Sequence, residues 1–253
     1  MIQQTVEKLR NMRLTGFIDA LREQQESTQY QKLDFDERFG LIVDKEYLIR
    51  QNRRLKRSII KARLKQQATI EDVDFDTARK LKRSEFLELA NGNWISNRHN
   101  LVIIGPTGVG KSFLACSLAD KACKLGFQAR YYRANDLISE LLLAKADGSY
   151  TKLVTQLANT QLLIIDEWLR DPLSNAQARE LLDVLDDRYR KASTLFCSQL
   201  PIADWYSRIE DPTIADAILD RIVHDSLRLE LDGQSMRKKT SQINQNKTSL
   251  RSD

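Results

Sequence analysis

Gly105-Pro106-Thr107-Gly108-Val109-Gly110-Lys111-Ser112 fits the pattern G-x-x-x-x-G-K-[ST], and its flanks decide how the chain folds. Leu101 to Ile104 form a short apolar run that reads as a buried strand, and the residues from Phe113 onward read as a helix. In such a strand–loop–helix unit the glycines let successive backbone N–H groups turn inward on a phosphate. The lysine reaches the outer phosphates, and the hydroxyl of the last residue is offered to Mg²⁺. The helix start adds its own partial positive charge. The loop predicts a nucleoside triphosphate site in which Gly105, Pro106, Thr107, Gly108, Val109, Gly110, Lys111, Ser112 and Phe113 touch the nucleotide.

Working outward, strand and helix signals alternate from Leu101, which implies a parallel sheet with helices on both faces. Strands are expected at 101–105, 128–134, 161–166, 194–199 and 226–231. Asn135 is expected to cap the helix after the second. The third ends in Asp166-Glu167 after the apolar run Leu162-Leu163-Ile164-Ile165. There Asp166 can hold the metal through a water, opposite Ser112, and Glu167 can polarise a water for attack on the γ-phosphate. The fourth ends in Gln199, placed to contact the γ-phosphate or the attacking water. Arg221 and Arg237 lie further on and can neutralise charge developing on that phosphate, from this subunit or a neighbour, or else serve as surface ion pairs.

The N-terminal part reads as helical. Val6, Leu9 and Met12, then Phe17, Ile18 and Leu21, give two short amphipathic stretches. Asp34 and Glu37 read as a capping box opening a long helix, with Phe35, Phe39, Ile42 or Val43, Leu48, Leu55 and Ile59 along one side. That helix carries eight basic residues between Arg50 and Lys65 and no acid. At 3.6 residues per turn, Arg50, Arg53, Arg54, Arg57, Lys61 and Lys65 share a face. The face is either solvated or a stripe for a phosphate backbone; like charges repel at this spacing, which favours the stripe and duplex DNA. A domain boundary is expected near residue 70, giving a helical domain at 1–69, an α/β domain at 70–241 and a polar, disordered tail at 242–253. Trp94 and Ile95 either close the second domain or lie near the base.

The 253 residues include 42% hydrophobic and 30% charged, with a net charge of +5, enough for a buried core and biased toward a polyanionic partner. Cys116, Cys123 and Cys197 lack metal or redox spacing and read as reduced core thiols, which fits a cytoplasm. No run approaches the ~18 apolar residues of a membrane span, so no membrane partner is expected. His99 and His224 fit no triad or metal site.

The phosphate loop, Asp166-Glu167-Trp168, Ser198-Gln199-Leu200-Pro201, Ala217-Ile218-Leu219-Asp220-Arg221 and Gly233-Gln234-Ser235-Met236-Arg237 together resemble the IstB family of transposition helper ATPases. Leu14-Thr15-Gly16-Phe17, Phe35-Asp36-Glu37-Arg38-Phe39-Gly40-Leu41 and Asn52-Arg53-Arg54-Leu55 extend the likeness to the N-terminus. That family is similar to the DnaC helicase loaders and belongs to the AAA+ superfamily. The resemblance implies a five-stranded AAA+ domain behind a small helical domain, and a cytoplasmic ATPase that uses ATP and Mg²⁺. It makes Lys111 and Ser112 the Walker A pair, Asp166 and Glu167 the Walker B pair, and Gln199 the first sensor, where many relatives have Asn. Arg221 becomes an arginine finger acting on the adjacent subunit and Arg237 the second sensor. Residues 136–158 correspond to inserted helices with which initiator-type members grip DNA. In the family, ATP-bound subunits assemble on duplex DNA, deform it and stimulate a partner transposase, and hydrolysis dissolves the assembly. A replicative helicase loader is the alternative with the same ATP site. A small-molecule kinase with this loop would instead act as a monomer, independently of DNA.

Overall fold

The computed structural model describes residues 2–236. Arg237 and the expected tail lie outside the described residues. The chain divides into two compact units, Met1–Arg57 and Ser58–Asp253, so residues 58–69, expected with the N-terminal domain, pack with the second.

The first unit is built from α1 (Ile2–Asn11), α2 (Thr15–Glu26) and the larger part of α3 (Phe35–Ala62). The capping box forms: Glu37 N–H donates to the Asp34 carboxylate over 2.8 Å, and Asp34 N–H donates to Glu37 over 3.1 Å. The inner side of α3 agrees with expectation at Ile42 and differs at other positions. Ile42 and Glu46 are buried, while Phe35 is 68% exposed and Phe39 and Leu48 are exposed too. Phe39 instead packs edge-on against Phe17 at 6.2 Å and stacks on Phe35 at 5.8 Å. The reason lies at Gly16, where a Cβ would stand 2.8 Å from the Glu46 Cα. That close approach of α2 turns the Ile42–Glu46 edge inward.

In the second unit α4 (Arg83–Ala90) and α5 (Asn93–Ser96) lead to β1 (Asn100–Ile104). There follow α6 (Lys111–Lys124), β2 (Ala129–Arg133), α7 (Ala134–Asp147), α8 (Tyr150–Asn159) and β3 (Leu162–Trp168). The order continues with α9 (Asn175–Arg188), β4 (Ser193–Ser198), α10 (Pro212–Val223) and β5 (Ser226–Glu230). The five strands form one parallel sheet in the order β2-β3-β4-β1-β5. All five expected strands are present. Inner strands buried on both faces explain the unbroken apolar runs. One face packs with α7 to α10 around Tyr132, Leu163, Ile165, Trp168 and Phe196. The small and apolar side chains of α6, among them Ala115, Cys116 and Ala119, are buried.

Two local readings change. Helix α7 starts at Ala134 with Arg133 as N-cap, so Asn135 lies inside the first turn and donates to Asp171. Trp94 is buried and its indole N–H donates to the Leu89 carbonyl, so it closes the domain rather than facing a base. The three cysteines are buried and unpaired, and burial pushes the Cys116, Cys123 and Cys197 thiols up, which keeps them protonated. No helix among the described residues is long and apolar enough to cross a membrane.

Candidate nucleotide site

Strand β1 delivers the phosphate loop to the carboxyl edge of the sheet, where β3 and β4 also end, the usual crevice of an open α/β sheet. The loop's left-handed turns need glycine. Gly108 has φ 86°, and a Cβ there would meet the Ser235 hydroxyl at 2.2 Å. The Met236 N–H donates to the Gly108 carbonyl over 2.9 Å, so the Gly233–Met236 segment lies against the loop. Its neighbour Arg237 is outside the described residues.

A cavity of about 400 Å³ opens above the loop, lined by Thr107, Gly108, Gly110, Lys111, Ser112 and Phe113. Asp166, Glu167, Gln199, Lys65, Arg79 and Met236 close it from other elements. Lys111 is 8% exposed, and its ammonium donates to the Gly105 and Pro106 carbonyls over 2.6 and 2.8 Å. The Ser112 hydroxyl donates to Asp166 Oδ2 over 2.6 Å. Gln199 meets the loop directly, its Oε1 accepting from Thr107 over 2.7 Å. The structure therefore brings together the loop, both acids and Gln199 as the sequence predicts.

Asp166 is 2% exposed and accepts further bonds from the Tyr131 hydroxyl and the Glu167 N–H. Burial and the adjacent carboxylate push the Tyr131 phenol far up, so it stays a donor. Glu167 sits at a bulge in the β3–β4 pairing, with φ 59°. A bulge re-aims a side chain, here the carboxylate after the strand. Glu167 pairs with Arg170, with Lys65 at 3.4 Å and with Arg133 at 3.7 Å.

A metal fits this donor set. Ser112 and Asp166 offer two hard oxygens converging within hydrogen-bond distance, and Mg²⁺ takes one or two such protein ligands plus phosphate oxygens and water. Accordingly, the described residues hold no cluster of three or more His, Cys, Asp or Glu able to hold a metal by themselves.

Two basic residues arrive unforeseen. Helix α3 ends at Ala62, and Arg63 takes a left-handed φ of 50°, so Lys65 leaves the helix and its face. Its ammonium lies 3.5 Å from Asp166 Oδ2, which removes Lys65 from the expected stripe. No glycine or proline marks that helix end, so periodicity ran on past it. Arg79, whose near neighbours Lys80, Lys82 and Arg83 are basic too, is 3% exposed. It donates to the Val109 carbonyl over 3.1 Å and to the Asp74 carbonyl over 2.5 Å, bracing the loop from behind. Burial draws its pKa down.

The structure does not bring Arg221 to this cavity. Its guanidinium pairs with Asp186 of α9 and donates to the Ala217 carbonyl over 3.0 Å. Arg50, Arg53, Arg54, Arg57 and Lys61 are exposed on α3. Arg50 pairs with Glu46 at 2.6 Å, and Arg53 donates to the Thr15 hydroxyl over 2.7 Å. Helices α7 and α8, which together span 136–158, seat Leu137, Ile138, Leu141, Val154 and Leu157 in the core.

Residues 7–244 match the family of IstB-like ATP-binding proteins. An insertion-sequence ATP-binding protein of Sinorhizobium fredii is 42% identical over 234 residues, covering 92% of this chain and 96% of its own length. The insertion sequence IS1162 ATP-binding protein of Pseudomonas fluorescens is 42% identical over 202 residues, covering 79% of this chain and 87% of its own. Among solved structures, DnaI superposes with a TM-score of 0.56 at 18% identity, over 67% of this chain and 90% of its own.

Proposed function

The chain belongs to the family of IstB-like ATP-binding proteins and is an ATPase of AAA+ fold, and from that premise we propose that it is a transposition helper. Its subunits would assemble on duplex DNA with ATP bound, stimulate a partner transposase, and leave on hydrolysis. The observation that carries this reading is the match over nearly the whole chain to insertion-sequence ATP-binding proteins, joined to a site with loop lysine, metal acid and second acid all in place.

The residues divide the chemistry between them. Loop N–H groups from Gly108 to Ser112 and the Lys111 ammonium bind the outer phosphates, which requires Lys111 to exchange its two loop carbonyls for phosphate oxygens. Ser112 and Asp166 would hold Mg²⁺, which would supply neutralisation of phosphate charge when bound. Glu167 takes the proton of the attacking water, and its bulged backbone turns the carboxylate toward the cavity mouth. Gln199, tied to Thr107, reads the γ-phosphate or the water. Arg221 acts on the site of an adjacent subunit, and Arg237 serves as the second sensor. Arg50, Arg53, Arg54, Arg57 and Lys61 contact DNA phosphates; the N-terminal part serves DNA and partner binding, and the α/β part, with which residues 58–69 pack, is the ATPase part.

The test is direct imaging on duplex DNA with a non-hydrolysable ATP analogue. Ordered oligomers that form only with nucleotide are expected. Isolated monomers on DNA, or none bound, sink the proposal.

A further inference from the structure

Lys65 stands where a metal would meet the protein. Its ammonium lies 3.5 Å from Asp166 Oδ2 and 3.4 Å from Glu167 Oε1. The same Oδ2 accepts the Ser112 hydroxyl at 2.6 Å, so this one oxygen faces both the lysine and the other metal donor. The lysine's backbone is pinned. Ala62 and Ala68 on either side of it are buried. The Lys65 side chain brings its ammonium to the acids and is only a quarter exposed.

The electrostatics explain its presence. Two successive carboxylates, one fully buried, repel each other, and the Ser112 and Tyr131 hydroxyls on Asp166 bring no charge. An ammonium beside both relieves that repulsion. A divalent ion held by Ser112 and Asp166, directly or through a water, would be drawn to that same carboxylate. It would then face the ammonium across a distance at which like charges repel strongly in a half-buried site.

We propose that Lys65 is a tethered counter-cation that competes with Mg²⁺ for Asp166, so that loading of the metal–nucleotide complex requires Lys65 to leave the acids. The inference rests on the reading of Ser112 and Asp166 as the metal ligands. Because two binding events that exclude each other are reciprocally coupled, the lysine raises the Mg²⁺ concentration the site needs. It also makes the segment after α3 respond to what the ATP site holds.

The experiment uses the full chain and a fluorescent, non-hydrolysable ATP analogue at fixed concentration and ionic strength, titrated with MgCl₂. The readout is the Mg²⁺ midpoint of the fluorescence change, independent of turnover. Lys65→Met and Lys65→Gln, both neutral, are expected to lower the midpoint about fivefold or more, within the range typical of coupled sites. Lys65→Arg keeps the charge and stays within about twofold of wild type. A midpoint unchanged or raised in both neutral variants overturns the proposal; a raised one would make Lys65 a phosphate ligand instead. A thermal melt of each variant excludes unfolding, and agreement of the two neutral side chains excludes a packing effect of either. Asp166→Asn separates the layers. If it leaves the midpoint unmoved, the metal-ligand reading fails; if it raises the midpoint while the Lys65 variants do nothing, only the competition fails.

Discussion

Glu167 is held among three cations, Arg170, Lys65 and Arg133, at a bulge that gives it a positive φ. In the proposed mechanism this carboxylate takes the proton of the attacking water and does not hold ATP. Glu167→Gln is expected to slow hydrolysis by about 10²-fold or more while leaving nucleotide affinity within about threefold. Normal turnover in that variant would remove Glu167 from the mechanism. Arg79 makes the opposite case. Truncating it leaves the Val109 and Asp74 carbonyls without their buried donor, at a cost of about 1–3 kcal/mol. Arg79→Ala should therefore lower the melting temperature and weaken ATP binding together, because the loop loses its brace. A variant that melts normally and binds ATP normally would contradict that role. The sequence showed Glu167 because an acid pair after an apolar run is a local pattern. It hid Arg79 because its neighbours Lys80, Lys82 and Arg83 are basic too, and burial is set by the distant Val109.

Helix α3 shows the same contrast at the level of an element. Its start was legible from Asp34 and Glu37, whose reciprocal bonds are a signal spanning four residues. Its end was not, since Arg63 adopts the left-handed turn that glycine usually supplies. Its buried edge was legible at Ile42 but not at Glu46, for a reason no single-helix pattern holds. Leu14 supplies no side-chain cap to α2, and the Glu46 carboxylate takes that role from α3, accepting from Gly16 N–H at 2.7 Å and Phe17 N–H at 3.2 Å. Burial works to raise the Glu46 pKa, but Arg50 and the two N–H groups outweigh it and hold the carboxyl below its ordinary range. The folded value is thus below the unfolded one of about 4.3, and the unfolded chain binds more protons in between. The stabilisation is complete above about pH 4.3 and is lost as pH falls through the folded pKa. Glu46→Gln is expected to cost about 1–3 kcal/mol in urea unfolding at neutral pH. The gap between wild type and variant should close as the pH falls below about 4, and a gap that widened there would reverse the sign of the argument.

At the scale of the whole molecule, the fold itself was legible because β1 and β3 carry their own punctuation, a glycine loop and an acid pair, and alternation supplied the rest. The assembly was less so, because Arg221 touches nothing in its own cavity. Its ion pair with Asp186 is partly exposed, at 29% and 47% of side-chain area, and such surface pairs are worth about 0–1 kcal/mol. An arginine supplied in trans to a phosphoryl-transfer site is worth about 10³-fold or more, roughly 4 kcal/mol. Losing the Asp186 pair thus costs little beside what Arg221 could contribute to the transition state at a neighbour's ATP across a head-to-tail interface. This predicts complementation between two inactive proteins. Lys111→Ala loses its own ATP but keeps Arg221, and Arg221→Ala keeps its ATP site but lacks the finger. Mixed in equal amounts on duplex DNA, they place a competent site beside a competent finger at roughly a quarter of random head-to-tail interfaces. ATPase activity should return to about that fraction of wild type, rise with protein concentration, and fall when either partner is diluted out. If the mixture stays as inactive as its components while both still bind DNA, Arg221 acts within its own subunit or not at all, and ATP cannot be the joint between neighbours.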